Sequence, residues 1–245
     1  PTRSTPGRAA MVSGGLIGRT PPALHHTAPL RSKQTRNLRL PRIEHALERG
    51  WLEALVVTAA GYGSARSVAF FEAADTHSEW SRTRRIGQST RLNLDHVMAS
   101  VAVPMIFPQV LIDGEYSGDG AMRQATPLSP VVHLGADRIL VIGIRDETAD
   151  PVPDQLHPDS YPSFAQIAGY MLDTLFMDGL YSDLERLTRV NQLIDSAPPG
   201  PDGRHFSGMR PIDTMLIVPS EDLRVVAERY RGELPVAIRG LLRGV

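Results

Sequence analysis

Apolar residues fall into short blocks along this chain, separated by turn formers. Leu55-Val56-Val57-Thr58 is a β-branched run, and it predicts a buried strand within Leu52 to Ala60. Ser67 to Ala73, with two phenylalanines, predicts a second strand, and Gly61-Tyr62-Gly63-Ser64 is the turn between them. Val110-Leu111-Ile112 reads as a short strand that Asp113-Gly114 reverses. Arg138 to Ile144 is nearly continuous in apolar residues, as in a parallel sheet covered on both faces. Thr214 to Val218 is a further strand.

Helical spacing appears elsewhere. Pro41 to Gly50 places Ile43, Ala46 and Leu47 on one face, with Pro41 in the first turn and Gly50 as the stop. Asn93 to Val103 spaces Leu94, Val97, Met98 and Val101 as a helix does. Thr126 to Leu134 predicts a short helix, Ser163 to Ile194 a long one, and Glu221 to Val245 one or two closing helices. Within the long helix Met171, Phe176 and Met177 read as core, with contact to lipid chains as the functional alternative. The stretches Asp75 to Gln88, Asp146 to Pro162 and Ala197 to Arg210 are polar or rich in Pro and Gly and read as surface loops. This order of elements implies an α/β fold with helices layered on a sheet. Residues 1–23 are a loop or disordered lead-in, and 24–245 form the domain.

Composition narrows the function. A net charge of −1 argues against a nucleic-acid binder driven by bulk charge. The absence of cysteine removes disulfides and thiolate chemistry and fits a reducing, cytoplasmic setting. No apolar run reaches the length of a membrane span. His25-His26 reads as two loop histidines, because neighbours on an extended chain point to opposite faces. Asp75, His77 and Glu79 match no established metal spacing. His96 reads as a satisfied or exposed histidine. Arg82, Arg84 and Arg85, with Trp80, read as a solvated excursion, with contact to anionic headgroups as the functional alternative.

The candidate chemistry centres on Asp119, between Gly118 and Gly120. Flanking glycines permit conformations barred to other residues and leave a carboxylate uncrowded. On that motif alone Asp119 is a turn aspartate. Its surroundings change the reading. Ala99-Ser100-Val101-Ala102-Val103-Pro104, then Phe107-Pro108-Gln109-Val110, then Asp119-Gly120-Ala121 form an ordered set. Upstream, the strand-turn-strand with Arg66 and Phe70 precedes it, and downstream Ala125-Thr126-Pro127 and Gly135-Ala136-Asp137 follow. The set resembles the patatin-like phospholipases, in which Asp-Gly-Gly or Asp-Gly-Ala carries the second catalytic residue. An asparagine usual before Thr126-Pro127 is replaced by Ala125.

That resemblance implies a three-layer α/β/α fold around a mostly parallel central sheet. It implies a Ser-Asp dyad that hydrolyses phospholipid or other lipid acyl esters without metal, nucleotide or other cofactor, and with transient contact at a membrane surface. Asp119 would be the dyad acid, with Gly118, Gly120 and Ala121 setting its geometry. The family's nucleophile lies in Gly-x-Ser-x-Gly upstream of the aspartate. No serine here has glycine at both flanking positions. Ser64 comes nearest, with Tyr62 and Arg66 in their place. The resemblance therefore covers roughly residues 16–245, with the N-terminal part of the domain and its nucleophile expected outside this chain. The alternative is a non-catalytic remnant that serves as a lipid-binding or protein-interaction module. Either way a sheet that lacks a strand exposes an edge and an apolar face.

Overall fold

A computed structural model describes residues 27–74, 77–104, 106–124, 127–143, 179–196 and 209–221, together with residues 167, 170, 171, 226 and 229–233. The chain divides into two compact units, Pro1–Pro130 and Val131–Val245. The lead-in through residue 23, His25-His26, the Asp146 to Pro162 loop, Phe176 and Met177 lie outside the described residues.

The first unit is built on a six-stranded sheet. Its strands are β1 (Ala54–Gly61), β2 (Ser67–Ala73), β3 (Trp80–Ser81), β4 (Arg85–Ser89), β5 (Val110–Ile112) and β6 (Glu115–Asp119), in the order β3-β4-β2-β1-β6-β5. Only the β2–β4 ladder is parallel; β1–β2, β1–β6, β3–β4 and β5–β6 are antiparallel. The expectation of a mostly parallel central sheet is corrected here. Connection length accounts for the β1–β2 and β5–β6 pairs: residues 62–66 and Asp113-Gly114 are too short for the crossover that parallel neighbours need. Asp113 and Gly114 both have positive φ, 49° and 85°, which matches the twist of a two-residue hairpin.

The helix α3 (Leu94–Ser100) fills one face of this sheet. The core joins Ala59, Val68, Phe70, Leu92, Ala99 and Ile112, with Ile86 and Val110 packed against it. The sheet curls enough for Gln88 on β4 to donate to Asp113 in the β5–β6 turn at 3.1 Å. Asn93 caps α3 by accepting from the Asp95 and His96 amides, while His96 Nδ1 accepts from the Asn93 amide at 3.0 Å. The His96 ring is buried and lies 4.7 Å from Phe70, so this histidine is a structural one. Two helices precede the sheet, α1 (Ala28–Asn37) and α2 (Pro41–Glu48). The first buries no residue, so it carries no apolar stripe to announce it; Arg31 ties it to Asp95 on α3 at 2.6 Å. The polar stretch read as a loop contains β3 and β4. Trp80 stacks on Phe71 with ring centroids 5.1 Å apart, and a Cβ on Gly87 would meet its ring at 2.3 Å.

A short helix, α4 (Leu128–His133), spans the division between the units. In the second unit β7 (Arg138–Ile142) and β8 (Asp213–Ile217) form a parallel pair, and α5 (Gly179–Ser196) is tied to the residue that precedes β8. Asn191 on α5 bonds both the amide and the carbonyl of Ile212, and Ile139, Ile194 and Ile212 are buried. Leu193 on this helix is exposed, and Met171, expected in the core, is 60% exposed, so that expectation is corrected. Among the described residues nothing covers the face of the pair that carries Leu140, Ile142, Met215 and Ile217, which are 57, 75, 64 and 45% exposed. The α/β class of the chain therefore holds. Among the described residues no helix is long and apolar enough to cross a membrane.

Two outcomes follow. The exposed apolar face should make the chain associate as concentration rises and bind a hydrophobic dye; Ile142→Glu with Ile217→Glu should lower both, and unchanged sedimentation in that variant would contradict the assignment. Burial lowers the His96 pKa against the opposing charges of Asp113 and Asp95. A depressed histidine contributes stability above its unfolded value, near 6.5, and loses it as pH falls. Melting from pH 7 to pH 5 should drop further in the parent chain than in His96→Gln.

Candidate functional site

Asp119 ends β6, opposite Ala59 of β1. Three chain segments meet there. The Asp119 amide donates to the Ala102 carbonyl at 3.1 Å, which seats the segment after α3 against β6. Ala99 and Ala102 are 0 and 1% exposed, so their small size is what lets the helix end come this close. Gly120 lies on β1: a Cβ there would meet the Thr58 carbonyl oxygen and hydroxyl at 2.6 Å each. Gly118 lies under Tyr62, whose ring and hydroxyl would be 2.8 Å from an added Cβ.

Neither Gly118 nor Gly120 has positive φ. Their role is close approach, and the expectation that they supply a conformation barred to other residues is corrected. Gly120–Met122 form one turn of 3-10 helix, and Asp119 caps it, with Oδ1 accepting from the Ala121 amide at 2.9 Å. Of the residues grouped with Asp119, Ala121 bonds its carboxylate, while Gly118 and Gly120 flank it and pack against Tyr62 and Thr58. Ala102 and Thr58 belong to the same seat and were not singled out; the Ala-x-x-Ala spacing of residues 99 and 102 was the available signal.

The Asp119 side chain is half-buried. Burial raises its pKa, and the Ala121 amide works against that rise. Oδ2 accepts no hydrogen bond among the described residues. The group is therefore a carboxylate held at one oxygen, without a hydrogen bond at the other among the described residues, and pushed by burial toward greater basicity than an aspartate in water.

Ser64 does not join it. Its amide donates to Glu115 Oε1 at 2.5 Å, and its hydroxyl accepts from the Arg66 amide within the β1–β2 turn. Glu115 is four residues from Asp119 along β6, about 13 Å at the usual strand rise. An open depression at that end is lined by Tyr62, Ser64, Gly114, Glu115 and Tyr116 and does not include Asp119. Among the described residues no group of three or more His, Asp or Glu side chains is placed to hold a metal ion. Further along, Gly135, at φ 93°, lets the chain turn out of α4, and Asp137 pairs with Arg210 at 2.6 Å. The Gly135-Ala136-Asp137 run is thus a helix stop and strand entry. Ala125 and Thr126 lie outside the described residues.

No protein-family model, curated protein or solved structure matches this chain.

Gly120→Ala should destabilise by about 1–3 kcal/mol, because the obstacle is Thr58 backbone. Gly118→Ala should cost less than about 1 kcal/mol, since the exposed Tyr62 side chain can give way. Equal melting of the two variants would contradict this. Asp119→Asn keeps the acceptor for Ala121 and removes a desolvated charge. A carboxyl with a raised folded pKa contributes stability below its unfolded value and loses it as pH rises through the folded one. Asp119→Asn should therefore melt at or above the parent at pH 7, and the gain should vanish near pH 3.

Proposed function

We propose that this chain is part of a patatin-like lipid acyl hydrolase, with Asp119 as the acid and base of a Ser-Asp dyad. The observation that carries the proposal is the half-buried Asp119 carboxylate, with Oδ1 fixed by Ala121 and Oδ2 without a hydrogen bond among the described residues. The bond from Asp119 to Ala102 adds support, because it joins two separate segments that carry the family resemblance, Ala99 to Pro104 and Asp119-Gly120-Ala121.

The chemistry is acyl transfer. A serine hydroxyl from a segment outside this chain attacks the ester carbonyl while Asp119 takes its proton. Asp119 then returns the proton to the departing alkoxide, leaving an acyl-enzyme. Water attacks that ester, gives its proton to Asp119, and the serine leaves with it. A carboxylate with a raised pKa is the better base for this work. The oxyanion would rest on backbone amides of a Gly-rich loop, also outside the chain. The complete domain would be a three-layer α/β/α fold, cytoplasmic, touching membranes only to reach its substrate. A non-catalytic module is the second reading, and the Asp119 to Ala121 bond favours it, since that bond alone is an ordinary turn.

The chain by itself should not hydrolyse a short-chain p-nitrophenyl ester above background. Activity that Asp119→Asn abolishes would mean that a serine within the chain has been recruited. The reading as a whole is tested on the encoding DNA, in frame, over about 150 codons before Pro1, enough to complete a domain of typical size. A Gly-rich loop followed by Gly-x-Ser-x-Gly is the expected result; its absence would favour the non-catalytic module.

A further inference from the structure

Four arginines crowd one end of the six-stranded sheet. The Ser67 amide donates to the Arg84 carbonyl at 2.8 Å, and Arg85 lies opposite Ser67 in the parallel ladder. The Arg82 amide donates to the Arg85 carbonyl at 2.8 Å, closing the β3–β4 turn beside the β1–β2 turn that ends at Arg66. Arg66, Arg82 and Arg84 are exposed and Arg85 is half-buried. None of the four side chains makes an ion pair among the described residues, whereas Arg31, Arg91 and Arg210 each hold a carboxylate.

The acids at this end are already engaged. Glu115 accepts from the Ser64 amide, and Asp113 accepts from Gln88. Next to the arginine turns stand two exposed tyrosines, Tyr62 and Tyr116, held together by the Tyr62 amide donating to the Tyr116 carbonyl at 2.9 Å. Clustered cations attract an anionic surface, and tyrosine, with an apolar ring and a polar tip, suits the headgroup layer.

We infer that this sheet end is a docking surface for membranes bearing anionic lipid headgroups. A single-stranded nucleic acid could use the same cations and rings, and the test below separates it from the membrane. The inference deepens the reading of the chain as part of a lipid hydrolase, but binding is measured without catalysis.

The test is sedimentation of the full chain with sucrose-loaded vesicles of phosphatidylcholine, with and without about one quarter phosphatidylglycerol, in moderate salt. The chain should prefer the anionic vesicles. Arg82→Glu with Arg84→Glu should lower that partitioning roughly tenfold or more, as should high salt. Arg186→Glu with Arg189→Glu, the same charge change on α5, should leave it near the parent value. Circular dichroism melting establishes that each variant is folded. No preference for anionic vesicles, or equal losses from the two arginine pairs, would overturn the inference. So would tighter binding to a single-stranded oligonucleotide at equal phosphate, abolished by the same pair. Binding that survives while no nucleophile is found upstream would uphold the docking surface and remove the hydrolase reading.

Discussion

The bond from the Asp119 amide to the Ala102 carbonyl is the constraint on which the site depends. It joins the strand that carries the acid to the segment that leaves α3, and it forms only because Ala99 and Ala102 let that helix end approach. Gly120 closes the third side by lying directly on Thr58 of β1. Three segments distant in sequence therefore fix one carboxylate. A larger residue at 99, 102 or 120 would push the seat apart before it touched the carboxylate itself.

The same seat sets stability against chemistry. A turn aspartate contributes most when it is solvated and fully ionised. Asp119 is half-buried, its pKa is pushed up, and only one of its oxygens is bonded among the described residues. Folding gains little from this arrangement, whereas a proton acceptor gains a great deal. Sites where local stability and local chemistry disagree are where function tends to lie.

Where the apolar pattern was strong, the sequence was readable. The β-branched and aromatic runs located β1 and β2, and Asp113-Gly114 located the hairpin of β5 and β6. β3 and β4 escaped because two residues, and then Arg-Ile-Gly-Gln-Ser, present almost no alternation; Trp80 over Gly87 supplies the packing that the pattern lacks. Helix α1 escaped because it buries nothing. The mostly parallel sheet was what the family resemblance implied, and it does not describe the six-stranded sheet; the apolar run at β7 does pair in parallel, with β8 alone among the described residues. At the site, Asp119 and its flanking residues were legible as a motif. Their physical roles were not, since close approach to Thr58 depends on a strand pairing that no local pattern reveals.

The account stands most directly on the basicity of Asp119. Carbon-13 NMR titration of its carboxyl, assigned through Asp119→Asn, measures that property without any assumption about substrate or partner. The account predicts a midpoint above the ordinary aspartate value of about 3.9. A midpoint at or below that value would mean that the Ala121 bond governs the group, and that Asp119 is a capping residue rather than a base.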